Sequence, residues 1–445
     1  MNYDSDEKII KSALSTVHTP EYDIAIEVEK KIKSPKSYIN LKRVIPLAVS
    51  LCIVFSVGVM ADAIPSFQKL LSIVSTDIGL LLQPVKKISE DQGIKMEVLG
   101  AMNDDEMAVI YFTMKDLTGN RMDKTLDIYE YSLNGANIFN CQIIDYDEIT
   151  KTATLRMQAN GGEKLNGKKV SLRIGSFLSD KKTFDKVDTG IKLSDIKVAN
   201  LSQMIALDMS HISGGGGNLY KEFKQKEVID VLKTDQMNIS FPKIDFVYIS
   251  NIGYIDGKLH IQTKWVGDGV DDHGYFYFVD DLGNEIDIKS ANIHFGTDEV
   301  GNTKYGSDYI EYIFDVEDID VDKLKLMGYF VTKGNYVEGN WETTFKIQSV
   351  GKKKEKDCNV QLDNGVINRI CLSTMGITLL GRGESEDLDN ITVSVNMIDG
   401  SVQTFDSMMS YSENKDMKIK FVSSEPLDIS KVQSIMINDT IINLK

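Results

Sequence analysis

The sequence contains few of the residues that hold metals or carry redox chemistry. Its 445 residues include only five histidines, four cysteines and two tryptophans. No cysteine pair accompanies a histidine at the spacing of a zinc site, and no hydrolase nucleophile motif or phosphate-binding glycine loop occurs. We therefore expect no bound metal, no cofactor and no enzyme activity.

Positive charge is also scarce, since the formal net charge is −16. Residues 1–43 hold eight basic and seven acidic residues, whereas the rest of the chain holds 42 basic and 59 acidic residues. An acidic surface repels the phosphates of nucleic acids, so we exclude direct nucleic-acid binding for the bulk of the chain. Acidic turns near Asp271 and Asp280 offer calcium ligands, but they lack a loop motif, and solvated turns are the simpler interpretation.

One long uncharged run interrupts the chain at residues 44–61. At 1.5 Å per residue these 18 residues would span about 27 Å, close to the thickness of a hydrocarbon core. A buried core helix is the alternative, but such a helix usually has one polar side, and this run is apolar all round. We predict a transmembrane helix at residues 44–63.

The charges on either side of this run predict its orientation. Six basic residues precede it between Lys30 and Arg43, and few follow it. The positive-inside rule then places the N-terminus in the cytoplasm and the C-terminal region outside the cell. Residues 61–63 resemble a signal-peptidase site, but the segment before the run is much longer than that of a signal peptide. We expect an uncleaved, single-pass anchor in the cell membrane.

The predicted cytoplasmic segment, residues 1–43, carries two short amphipathic helices. Each has an apolar stripe too small to form a core of its own, and helices of about 13 residues are marginal alone in water. The stripes therefore predict a partner, either a protein groove or the membrane surface, with a merely solubilising tail as the alternative. The predicted partner-binding residues are Ile9, Ile10, Leu14, Val17, Ile24, Val28 and Ile32.

The rest of the chain is predicted to be mainly β. Short strands alternate with Gly, Asn and Asp turns, and residues 94–116 read as a hairpin around Asn103. We predict a first extracellular domain at residues 64–200, with a short helix and a β-sandwich. A connector at residues 201–240 follows, in which Gly214 to Gly217 form a flexible turn. A second β-sandwich occupies residues 241–350 and a third occupies residues 351–445.

A weak internal repeat supports the last two sandwiches. Residues 246–253 resemble residues 369–376, and two later matches follow in the same order with a shrinking offset. Two copies of one domain with different loop lengths would produce this pattern.

Two cysteines of the third sandwich are predicted to face each other. Asn364-Gly365 is a strong signal for a two-residue hairpin turn, and counting outward from that turn places Cys358 opposite Cys371. Disulfides persist outside the cell, so a disulfide between them is one expectation. Two thiols packed side by side are the other.

The order of these segments resembles a known family. A leader of about 40 residues with two short helices, one span, a helix beginning near Pro65 and the strand pair of residues 94–116 are similar to membrane-bound, anti-sigma-factor-like proteins of low-GC Gram-positive bacteria. The resemblance covers roughly residues 15–350, and the zinc signature of other anti-sigma domains is absent.

The resemblance implies immunoglobulin-like ectodomains of a family of unknown function. It also implies a cytoplasmic segment that holds an extracytoplasmic-function sigma factor, and an ectodomain that senses an unknown envelope ligand or protein. The alternative is an envelope-binding or adhesive protein with no regulatory partner.

Overall fold

A computed structural model describes residues 65–444, except for gaps at 105–106, 161–164, 200–202, 268, 350–352, 364, 384–390, 406, 414 and 423–425. The predicted cytoplasmic segment, the predicted span and all seven partner-binding residues lie outside the described residues. Within them, no helix has the length and apolar character needed to cross a membrane. The described part is mainly β, as predicted, and is built from sandwiches.

Two short helices precede the first sheet. Helix α1 spans Pro65–Ile73 and begins with a proline, whose missing N–H costs little in the first turn. Helix α2 spans Thr76–Leu81, and the hydroxyl of Ser75 caps it by accepting from the Ile78 amide at 3.3 Å.

The first sandwich pairs a five-stranded sheet, in the order β1-β2-β3-β6-β5, with strands β4 and β7 of a second sheet. The predicted hairpin is confirmed, because β2 and β3 pair from Ile94 opposite Asp116 to Asn103 opposite Ala108. Its strands are β1 (Gln83–Asp91), β2 (Ile94–Asn103), β3 (Ala108–Asp116), β4 (Asp127–Leu133), β5 (Ile138–Asp147), β6 (Thr152–Asn160) and β7 (Lys169–Asp188).

The second sandwich has a sheet ordered β11-β12-β13-β17-β16, extended at one edge by β9, and a facing sheet ordered β15-β14-β18-β7-β4. It also carries one further helix, α3, at Tyr220–Lys224. Its strands are β8 (Met204–Asp208), β9 (Gly214–Gly216), β10 (Val228–Leu232), β11 (Ile239–Phe241), β12 (Ile244–Ile255), β13 (Lys258–Trp265), β14 (His273–Val279), β15 (Glu285–Ile286), β16 (Ser290–Thr297), β17 (Thr303–Phe314) and β18 (Lys325–Lys346).

The third sandwich has sheets ordered β19-β20-β21-β25-β24 and β23-β22-β26-β27. Its strands are β19 (Lys354–Gln361), β20 (Val366–Ser373), β21 (Gly376–Arg382), β22 (Val393–Met397), β23 (Val402–Thr404), β24 (Ser407–Glu413), β25 (Asp416–Val422), β26 (Val432–Ile437) and β27 (Thr440–Asn443). With the added edge strand β9 left aside, the sheets β1-β2-β3-β6-β5, β11-β12-β13-β17-β16 and β19-β20-β21-β25-β24 follow one connection pattern. Strands β15-β14-β18-β7 of the second sandwich match strands β23-β22-β26-β27 of the third position by position.

The two long strands β7 and β18 are shared between the first and second sandwiches. They pair antiparallel along their whole lengths, from Lys346 opposite Lys169 to Met327 opposite Asp188. The third sandwich instead closes the equivalent pair, β26 and β27, as a short hairpin through Asn438. In the first two sandwiches the continuous strands β7 and β18 take the place of this hairpin. Strand β7 runs on from the first sandwich to form an edge of the second, and β18 runs on from the second to form an edge of the first.

The shared strands change the predicted boundaries. Phe177 of β7 and Trp341 of β18 lie in the core of the first sandwich, whereas Phe330 of β18 lies in the core of the second, with Phe184 of β7 packed against it. Residues 335–346 thus complete the first sandwich, although the sequence assigned them to the second. The second sandwich is an insertion within the first.

The predicted connector at residues 201–240 is also structured differently from expectation. Strands β8 and β10 pair with each other, and together with α3 they pack on the outer face of the six-stranded sheet of the second sandwich. The glycine run is strand β9 rather than a flexible turn, since Gly214 to Gly216 pair with β16. A side chain at Gly215 would lie 2.3 Å from the Tyr220 ring, so close packing requires glycine there.

The predicted register of Cys358 and Cys371 is wrong. The turn between β19 and β20 lies one residue earlier than predicted, because the Leu362 amide donates to the Gly365 carbonyl at 2.9 Å and Gln361 pairs with Val366. A bulge beside Cys358 then shifts the ladder further, and Cys371 stands opposite Glu355. Glu355 is three residues from Cys358, which separates the two cysteines by about 10 Å along the strands, beyond the reach of a disulfide.

The two cysteines also lie on opposite faces of their sheet. Cys358 packs against the third core, and so do Ile370 and Leu372, the neighbours of Cys371. Because successive side chains of a strand alternate between faces, Cys371 points away from that core. Neither Cys358 nor Cys371 forms a disulfide.

Candidate functional site

The described region nearest to the predicted span is a layer formed by helices α1 and α2, which we call the helix layer. It packs on the outer face of the first five-stranded sheet. Strand β2 is buried on both faces as a result, with Met96 in the first core and Leu99 against the helix layer. Gly100 lets α1 approach closely, because a side chain there would lie 2.9 Å from the ring of Phe67.

The third sandwich covers the same face. Met375 and Val422 join Phe67 and Leu70 of α1 and Tyr111 of β3 in one buried apolar cluster. The helix layer is therefore held by residues from two sandwiches that are far apart in sequence.

Polar contacts fix the helix layer at its exposed side. The Lys69 ammonium donates to Asp147 at 2.6 Å, and the Ser66 hydroxyl donates to Glu97 at 3.1 Å. The hydrogen bonds from Lys69 and from the backbone of Thr150 hold the pKa of Asp147 well below its ordinary value.

A buried ion pair joins the first and third sandwiches beside this cluster. Lys420 of β25 donates to Asp104, which follows β2, and both side chains are 1% exposed. Burial alone would raise the pKa of Asp104, but the attraction and hydrogen bond of Lys420 outweigh it and lower the pKa from 3.8 to about 2. Asp104 is therefore ionised, and its second oxygen accepts from the Met107 amide at 2.9 Å.

Ser373 of the third sandwich completes this contact. Its hydroxyl donates to Asp104 and accepts from Lys420 at 3.1 Å. A serine beside a lysine is a nucleophile–base arrangement in some hydrolases, but such a base must be neutral and open to substrate. Here the lysine is paired with a carboxylate and Ser373 is buried, so the geometry suits attachment of the two sandwiches rather than catalysis.

A second buried polar cluster lies under the β8–β10 layer. Glu311 accepts from the Leu232 amide, from Gln262 and from the ring of His260, each at 2.9 Å. Gln262 also donates to the Leu232 carbonyl at 2.6 Å. His260 is buried, and its cluster satisfies the backbone of β10 where that strand crosses the sheet.

In the acidic turns near Asp271 and Asp280, the carboxylates are occupied by protein donors. Asp280 accepts from the amides of Leu282 and Asn284 at 2.9 and 2.8 Å, which closes the turn between β14 and β15. Asp271 is engaged by Lys333 at 2.9 Å. No group of three or more metal-ligating side chains is gathered anywhere in the part of the chain that the structure describes.

No local sequence pattern indicates that Lys420 is buried. It lies in a strand of alternating pattern, at a position facing away from the third core, and such positions usually face water. Only the docking of the first sandwich on that face buries it, and docking between distant segments leaves no local pattern.

No model of a known protein family matches the chain, and no curated protein matches it. Among solved structures, the chain is similar to "the conserved domain protein from Bacillus anthracis", with 8% identity and a TM-score of 0.19 over 82% of this chain and 92% of that one. A likeness this distant carries no argument about fold or function.

Proposed function

We propose that the chain is a membrane-anchored, anti-sigma-factor-like regulator. Residues 1–43 hold an extracytoplasmic-function sigma factor in the cytoplasm, residues 44–63 cross the membrane, and the β-sandwiches sense an envelope signal outside. The observation that carries the proposal is the uncharged run at residues 44–61, preceded by basic residues and by two apolar stripes that have no core of their own.

The helix layer supports a route for the signal. It begins at Pro65, directly after the proposed span, and it is held by side chains of both the first and the third sandwich. A ligand that binds more tightly to one arrangement of the two sandwiches would shift the population of that arrangement and move the helix layer with it. The span would transmit this movement, or a protease acting near it would release the cytoplasmic segment.

Co-purification with the full chain from solubilised membranes tests the cytoplasmic role. Burying one such apolar side chain contributes about 1.5–3 kcal/mol, so Leu14→Asp or Val28→Asp should lower the recovery of the sigma factor at least tenfold. Lys11→Asp changes charge on the same helix without touching the stripe and should retain binding. Recovery of the same sigma factor with the wild type and with both stripe variants would contradict the proposal.

An envelope-binding protein without a regulatory partner is the second candidate. The observation that favours it is a group of three tyrosines on the outer face of the second sandwich, of which Tyr275 is exposed and Tyr277 and Tyr329 are half-buried. Such a group suits ligand binding whatever happens in the cytoplasm. The absence of any co-purifying sigma factor, together with retained ligand binding, would select this candidate.

A further inference from the structure

One outer sheet face of the second sandwich carries three tyrosines, which we call the tyrosine face. Tyr275 and Tyr277 lie on β14, and Tyr329 lies on β18 directly opposite Tyr275. The side chains of Phe276 and Phe278 alternate with the first two and point into the core. The tyrosines therefore occupy the side of the sheet that faces water, and Tyr275 is 51% exposed.

The three rings form one group. Tyr275 and Tyr329 stack with centroids 5.2 Å apart and an interplanar angle of 24°, while Tyr277 lies 6.1 Å from Tyr275 at 51°. Exposed large apolar or aromatic groups usually occur singly on a soluble protein, whereas a contiguous group on one face is typical of an interaction surface.

One carboxylate flanks the tyrosine face on each side. Glu285 lies on β15, next to β14, and Asp185 lies on β7, next to β18. Burial raises the pKa of the Tyr275 and Tyr277 hydroxyls, and the negative charges of Glu285 and Asp185 raise it further. Aromatic ring faces and carboxylates both attract cations, so the two together favour a positively charged ligand.

We propose that the tyrosine face binds a basic polypeptide segment, with arginine or lysine side chains lying against the rings and beside Glu285 and Asp185. The net charge of −16 attracts such a segment from a distance. Anionic lipid headgroups are repelled by the same carboxylates.

The test is direct binding of a labelled hexa-arginine peptide to the full chain, with hexa-glutamate as the control peptide. We expect saturable binding of hexa-arginine that weakens with added salt, and no binding of hexa-glutamate. The double variant Tyr275→Ser/Tyr329→Ser should lower the affinity at least tenfold, and Asp185→Asn/Glu285→Gln should also lower it. Tyr305→Ser removes a tyrosine that is 69% exposed elsewhere on the second sandwich and should leave the affinity unchanged.

Equal affinity of hexa-arginine for the wild type and for a folded Tyr275→Ser/Tyr329→Ser variant would overturn the proposal, because binding would then be general attraction to an acidic chain. Unchanged thermal unfolding of the variant shows that it is folded. Binding of a chitin oligosaccharide that the tyrosine variant loses, without binding of hexa-arginine, would also overturn it. The measurement does not involve the cytoplasmic segment, so it stands or fails independently of the sigma-factor proposal.

Discussion

Lys420 and Asp104 are fully buried charges, and their value to the protein depends on each having the other. Transferring one charge from water to a protein interior costs several kcal/mol, and the mutual attraction of a well-placed pair offsets roughly that amount. Removing one partner leaves the other charge unpaired among Met107, Ser373 and the neighbouring apolar cluster.

Lys420→Met should therefore lower the free energy of unfolding by about 3–5 kcal/mol, because it leaves the Asp104 carboxylate buried and unpaired. Adding Asp104→Asn to this variant should recover part of the loss, since the remaining group is then neutral. Urea unfolding of the full chain measures both. Lys431→Met removes an exposed pair to Asp428 and should change stability by less than about 0.5 kcal/mol. A loss from Lys420→Met no larger than that of Lys431→Met would show that the pair is not buried.

Single residues were the hardest part to predict from the sequence. The Asn364-Gly365 pair predicted a turn one residue too late, and the ladder beside it depends on a bulge at Cys358 that no residue type indicates. The displaced turn and the bulge together place Cys371 on the other side of the sheet from its predicted partner. The burial of Lys420 could not be predicted either, because it depends on contact with Asp104 of the first sandwich, more than 300 positions away in the sequence.

At the scale of elements, local patterns predicted strands and the β2–β3 hairpin well, because alternation and turn residues lie within a few positions of each other. They did not predict the shared strands β7 and β18. Each is a single long strand in the structure, and no residue type in it indicates that its two halves pack into different cores.

The shared strands predict which fragments fold. Residues 241–349 lack β7, which pairs with β18 throughout, so this fragment should remain unfolded. Residues 353–445 include both β26 and β27 and should fold alone. Circular dichroism and thermal unfolding of the two fragments provide the comparison. A cooperative transition in 241–349 would contradict the exchange of strands.

At the scale of the whole molecule, the third sandwich is predicted to hold the helix layer in place. Val422→Asp puts a charge into the cluster shared with Phe67 and Leu70, so the third sandwich should separate from the helix layer. Hydrogen exchange of residues 67–82 should then quicken. Ile398→Asp lies in the same sandwich at a position that is 58% exposed and should leave that exchange unchanged. Equal protection of residues 67–82 in both variants would mean that the third sandwich does not restrain the helices.

The central claim is that residues 1–43 and the β-sandwiches lie on opposite sides of a membrane. Protease added to intact protoplasts that express the full chain, tagged at each end, tests it directly. The account predicts that the C-terminal tag is lost while an N-terminal tag survives on a fragment that ends shortly after residue 64. Loss of the N-terminal tag with survival of the sandwiches, or protection of both tags until the cells are lysed, would contradict it.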